Sequence, residues 1–98
     1  MTVYTVGIWI TKAGREDEFA RRWRDMAEWT RREVAAVATG TLLQDRERRN
    51  RFVSFGPWAT LADIEAWRGH PAFAERVGSM RELLEEFSPM TLDDVTAD

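Results

Sequence analysis

The 98 residues contain no cysteine, and histidine and tyrosine occur once each, at His70 and Tyr4. The missing cysteine excludes disulfides, thiolate nucleophiles and cysteine-held metals, and one histidine is too few for a histidine-based metal site. No apolar run approaches the ~20 residues that a helix needs to cross a bilayer. The N-terminal stretch MTVYTVGIWI lacks the basic start and small-residue cleavage site of a secretory leader, so a soluble cytoplasmic protein with no membrane partner is expected. A net charge of −3 lacks the basic footprint of a general nucleic-acid binder. No glycine-rich phosphate loop and no Ser-His-Asp arrangement occurs.

What is present fits one globular domain covering residues 1–98, with 44% hydrophobic and 32% charged residues. A chain this short buries only ~60–70% of its unfolded surface, so its core is thin and a partner subunit would help. The arginines between Arg21 and Arg32 are interleaved with Asp25, Glu28 and Glu33, the pattern of a solvated helix face laced with ion pairs.

Alternation over Val3 to Thr11 predicts a strand. Tyr4, Val6, Ile8 and Ile10 share one face, and Val3, Thr5, Gly7, Trp9 and Thr11 share the other. Phe19, Trp23, Met26, Ala27, Thr30 and Val34 keep a 3.6-residue period and predict a helix over 15–33. Its acidic first turn and basic last turn suit the helix dipole. Small residues from Ala35 to Gly40 predict a loop. Thr41 to Asp45 and Arg51 to Phe55 read as a hairpin, the second strand ended by Gly56-Pro57.

Thr60, with Asp63 three residues on, caps a second helix whose inner edge is Leu61, Ile64 and Trp67. Gly69 breaks it and Pro71 opens a new helical segment. The stripe Phe73, Val77, Met80, Leu83, Leu84 and Phe87 carries that segment to Ser88-Pro89, with a break or bend at Gly78. Met90 to Val95 is the last predicted strand. The order is β-α-β-β-α-β, the ferredoxin-like α+β arrangement with helices on one face of a four-stranded antiparallel sheet. The first strand has apolar residues on both faces. The expectation is that Trp9 faces away from the helices and anchors a homodimer in which the sheets of two copies pack together.

The segment RFVSFGPWATLADIEAWRGHPAF, with KAGREDEF upstream, resembles the antibiotic biosynthesis monooxygenase (ABM) superfamily. The resemblance covers essentially the whole chain and implies a dimeric α+β barrel. It places a pocket between the helices and the concave side of each sheet. It also implies cofactor-free oxygenation of polycyclic phenols and quinols, or oxidative haem breakdown. In the anthrone-oxidising branch, an Asn on the third strand lies four residues before a Trp, with a Tyr and an Arg on the helices that follow. Trp58 matches the Trp, Ser54 stands in the place of the Asn, Ile64 replaces the Tyr, and Arg76 lies within one residue of the Arg. The haem-degrading branch needs an Asn and an axial His where this chain has Gly7 and Val77, and His70 lies about two helical turns too early to substitute.

The resemblance therefore makes Trp58, Ser54 and Arg76 the candidate catalytic residues, with Tyr4, Trp29, Ile64 and His70 as candidates for binding a small aromatic molecule. No metal and no cofactor are implied. Each assignment has a plainer alternative. Trp58 either stacks on a substrate or closes the third strand against the second helix. Trp29 lines a pocket or a subunit edge, while Trp23 and Trp67 read as core. His70 is a helix cap or a proton carrier. Arg51 pairs with Asp45 across the hairpin or meets an anion. Gln44 is a further polar group that a strand could present to a pocket. Two functions follow: a cofactor-independent monooxygenase acting on a phenol-, quinol- or anthrone-like aromatic, or a non-catalytic binding or accessory dimer of the same fold.

Overall fold

A computed structural model describes residues 2–34 and 40–96. The elements are β1 (Val3–Thr11), α1 (Glu16–Glu33), β2 (Thr41–Gln44), β3 (Arg51–Trp58), α2 (Leu61–Gly69), α3 (Pro71–Arg81) and β4 (Leu84–Asp93). The strands form one antiparallel sheet in the order β2-β3-β1-β4. This is the expected ferredoxin-like fold, with the second helical region split into α2 and α3. Among the described residues no helix is long and apolar enough to cross a membrane. The expected loop over 35–40 lies, apart from Gly40, outside the described residues.

Local chemistry explains most boundaries. Gly14, at φ 84°, makes the turn after β1 in a conformation that costs other residues strain. The Thr60 hydroxyl accepts the Asp63 amide and starts α2. His70 separates α2 from α3 with extended backbone, and its Nδ1 accepts the Ala72 amide at 3.1 Å. In the β2–β3 connection, Asp45 accepts the amides of Arg48 and Glu47. These bonds hold its carboxyl below the usual range, with the nearby Arg51 adding to the effect. Arg51 Nε lies 3.6 Å from Asp45, the pairing expected across the hairpin.

Two strands are longer than the sequence predicts. β3 runs through Gly56-Pro57 to Trp58, because all three residues pair with β1, opposite Thr5, Tyr4 and Val3. β4 starts at Leu84, so Leu84 and Phe87 do not continue the helix. Their i, i+3 spacing fits a helical stripe, but tertiary packing decides. Phe87 pairs with Trp9 across the sheet and stacks on it, with ring centroids 3.9 Å apart. Pro89 is tolerated inside β4 because β4 is an edge strand. Gly78 does not break α3, which is continuous from Pro71 to Arg81.

The larger correction concerns which side of the sheet the helices cover. Trp9 faces the helices, not away from them. It is buried with Phe19, Met26, Trp29, Phe52, Val77, Met80 and Leu83 in the main core cluster. The alternation of β1 shows two apolar faces and does not rank them. Aromatic packing does, since Trp9 meets Phe19 at 5.2 Å and Phe87 at 3.9 Å, and Phe19 meets Phe52 at 5.0 Å. The outer face therefore carries Tyr4, Val6, Ile8 and Ile10, paired with Val53 and Phe55 of β3 and with Met90 and Leu92 of β4. Leu43, Phe55, Met90 and Leu92 on that face are 52%, 38%, 37% and 46% exposed.

Two substitutions test this packing. Phe19 is fully buried at the centre of the cluster, so Phe19→Ala is expected to cost about 3–5 kcal/mol in denaturant unfolding. Gly78 is exposed in mid-helix with nothing within 4 Å of an added Cβ, so Gly78→Ala is expected to stabilise by about 0.5–1 kcal/mol in the same assay.

Candidate functional site

The register of the sheet creates a cavity. On the helix-facing side, β1 and β3 pair as Val3–Trp58, Thr5–Gly56, Gly7–Ser54 and Trp9–Phe52. Large apolar residues occupy the outer two rows, and small residues occupy the inner two. The outer rows belong to separate core clusters. Trp9 and Phe52 pack with Phe19 and α3, whereas Val3 and Trp58 pack with Ile64 of α2. Between them the small side chains leave a half-open cavity of about 120 Å³. Its roof comes from Trp23, Met26, Ala27 and Thr30 of α1, with Trp67 of α2 and Phe73 and Val77 of α3.

Tryptophan dominates the walls. Trp58 and Trp67 tilt against each other at 5.0 Å, and Trp67 meets Phe73 edge-on at 4.7 Å. Three indole N–H groups at the cavity are each satisfied by a hydroxyl that also lines it. Trp9 Nε1 donates to Ser54 Oγ at 2.9 Å, Trp58 Nε1 to Thr5 Oγ1 at 3.0 Å, and Trp67 Nε1 to Thr30 Oγ1 at 2.9 Å. The two charged side chains in the lining are exposed arginines. Arg31 is paired with Glu28 at 2.6 Å, while Arg68 donates to Thr91 Oγ1 at 3.3 Å. Among the described residues, no group of three or more His, Cys, Asp or Glu side chains could hold a metal ion.

Of the residues singled out from sequence, Trp58 and Ser54 line the cavity and the others do not. Tyr4 is one residue out of phase with Val3 and Thr5, so its side chain lies on the outer sheet face, opposite Pro57 and Leu92. Ile64 is buried behind Trp58 as part of the smaller core cluster. Trp29 is buried against α3, with the Arg76 guanidinium 5.3 Å from its ring and His70 edge-on at 5.0 Å. Those contacts bring Trp29, Arg76 and His70 together where α1 meets α3, and His70 is committed to capping α3. Gln44 bonds to Arg49 within the hairpin.

Sequence reasoning missed Trp9, assigned to the wrong face; Trp23 and Trp67, read as core, do pack against the main cluster and in addition line the cavity. It also missed Thr5, Thr30, Gly7 and Arg68. Knowing that Gly7 stands opposite Ser54 would have revealed the gap, but that register is a product of the folded sheet.

The profile of the family described as "Antibiotic biosynthesis monooxygenase" matches residues 2–78. Among solved structures, the chain is similar to an Asn-to-Ala variant of SnoaB, a cofactor-independent oxygenase from Streptomyces nogalater. The identity is 20%, with 98% of this chain and 95% of that chain covered, at a TM-score of 0.88. A structure described as an antibiotic biosynthesis monooxygenase is 18% identical over 95% of this chain and 98% of that one, at a TM-score of 0.81. Rv0793 from Mycobacterium tuberculosis is 14% identical over 97% and 96%, at a TM-score of 0.82. No curated protein matches the chain. At these identities the structural likeness speaks for the fold, and the family match spans well over half of the residues: the chain belongs to the antibiotic biosynthesis monooxygenase family.

Proposed function

We propose that the protein is a cofactor-independent monooxygenase acting on a small phenolic, quinol-like or anthrone-like aromatic. The observation that carries this reading is the tryptophan-walled cavity with hydroxyl groups set into its walls. Its room of about 120 Å³ is comparable to the ~150 Å³ of an engineered cavity that takes up benzene, so one ring fits inside and further rings extend through the open side. Trp58 and Trp67 offer flat apolar surfaces for stacking. The structural likeness to an oxygenase described as cofactor-independent supports the same reading.

In such a reaction the ionised ligand gives one electron to dioxygen, the two radicals join as a peroxide anion on a ring carbon, and the proton lost on ionisation, returned from water, makes it a hydroperoxide. Loss of water then leaves a carbonyl where the carbon had carried two hydrogens. One oxygen atom enters the product and the other leaves as water. The chain's own contribution is to hold the ring, to bond its oxygen and to exclude bulk water from the radical pair.

One observation favours a second reading, a non-catalytic binding or accessory protein. No carboxylate, imidazole or phenol is among the described residues lining the cavity, so none of them can act there as a strong proton acceptor. Both readings include a homodimer formed through the outer sheet face. Leu43, Phe55, Met90 and Leu92 leave apolar surface there that a second copy of the same face would cover.

Dioxygen uptake on a panel of anthrones and hydroquinones separates the two readings. Turnover is expected with at least one member, while calorimetric binding without uptake would support the binder. Ser54→Ala and Trp58→Phe are each expected to lower affinity or turnover about tenfold, the equivalent of one lost hydrogen bond of ~1.4 kcal/mol. In sedimentation at micromolar concentration the chain is expected to run as a dimer and Phe55→Lys to shift it toward the protomer.

A further inference from the structure

The outer face of the sheet ends in a charged row. Arg51 and Glu86 both lie opposite Ile10, one on each side of β1, and Asp45 flanks Arg51 beyond β3. Side chains directly opposite one another share a face, so all four belong to the outer side. The rows that follow along β1 carry no charge: Leu43–Val53–Ile8–Ser88, Thr41–Phe55–Val6–Met90 and Pro57–Tyr4–Leu92. Ile10 is only 8% exposed, so the apolar surface left to cover begins at Ile8, and the charged row is its rim. Arg51 Nε lies 3.6 Å from Asp45, beyond hydrogen-bond distance, and has no hydrogen-bond partner. Asp45 accepts the amides of Glu47 and Arg48 instead. Glu86 is exposed, and no cation pairs with it among the described residues. A guanidinium with donors to spare thus stands on one side of Ile10, and a carboxylate without a partner stands on the other.

We infer that two copies pack outer face to outer face about a two-fold axis along β1, with Arg51 of each copy on Glu86 of the other. This rests on the homodimer reading of the outer face and goes on to name the contact that orients it. A two-fold axis along β1 exchanges the strands on its two sides and keeps each residue's position along the strand. Arg51 therefore comes over Glu86 twice, Val53 over Ser88 and Phe55 over Met90, the reciprocal contacts of an isologous interface. Facing sheets lie about 10 Å apart, a gap that an arginine and a glutamate reaching toward each other can bridge.

Other axes in the plane of the face serve the charges badly. An axis across the strands would bring Arg51 over Pro57 and Glu86 over Leu92, stranding both. An axis midway between β1 and β3 would set Glu86 over Asp45, like on like. An ion pair at an exposed rim adds little affinity by itself, but wrong pairings repel, so the row selects orientation while the apolar rows hold the copies together. The cavity lies on the opposite, helix-covered side of each sheet, so both cavities stay open in this arrangement.

The test is sedimentation equilibrium of the full chain and two charge reversals, alone and mixed. Arg51→Glu and Glu86→Arg each place two like-charge contacts in the dimer, and each is expected to weaken it about tenfold or more. An equimolar mixture of the two variants makes a heterodimer in which both contacts are again opposite in sign. The mixture is therefore expected to dimerise more tightly than either variant alone. A pairing of Arg51 with Glu86 inside one copy could not produce that result, since mixing leaves each chain as it was. Circular dichroism checks that each variant folds. If Arg51→Glu, beside Asp45, does not fold, Arg51→Gln takes its place, and its mixture with Glu86→Arg should still associate more tightly than either component. Unchanged dimerisation of both reversals, or a mixture no tighter than its components, overturns the inference and leaves the homodimer in place. An unaltered chain that sediments as a protomer at every concentration overturns the homodimer reading, and the inference with it.

Discussion

The cross-strand rows Thr5–Gly56 and Gly7–Ser54 are the constraint on which the rest of the molecule depends. Sheets that pack against helices normally fill the space between with interlocking side chains at crystal-like density. Here the two central rows cannot reach the helices, so the core divides. One part gathers around Trp9, Phe19 and Phe52, the other around Val3, Trp58 and Ile64. α1, α2 and α3 bridge the gap, and their aromatic side chains hang over it. The cavity is the space that such a sheet leaves when its ends are well packed.

Its chemistry follows from the same division. Tryptophan supplies apolar wall area, but each ring brings an N–H that would be costly to bury alone. Ser54, Thr5 and Thr30 remove that cost, and in doing so their hydroxyls become part of the cavity surface. Core packing and the polar part of the cavity lining thus rest on the same three bonds. The trio of Trp29, His70 and Arg76 does a different job, joining the seam between α1 and the start of α3.

The sequence made the fold legible because its cues are local. Thr60 and Asp63 mark a helix start, Gly14 a turn and Phe19 to Thr30 a helical stripe, and each reads without knowledge of the partner element. The strand β4 was harder, because Leu83, Leu84 and Phe87 satisfy a helical period equally well. Only the stack on Trp9 decides for the strand. The site was legible at Trp58 and Ser54, which lie four residues apart on one face of one strand. The rest of the cavity joins residues as distant as Trp9 and Ser54 or Thr30 and Trp67, and no spacing rule links them. The facing of β1 shows the limit most plainly, since a strand that is oily on both sides carries no label for which side meets the helices. Dimerisation was inferred from two apolar faces with Trp9 outside, whereas the outer face carries Phe55 and its neighbours in place of Trp9.

Four of the five tryptophans, Trp9, Trp23, Trp58 and Trp67, border the cavity, and only Trp29 stands apart from it. The chain therefore carries a built-in optical gauge. Any aromatic guest that enters sits against nearly all of the indole emission the protein has, while Trp29 supplies a constant background. Quenching of that fluorescence can follow filling and emptying of the site in real time, with no label attached.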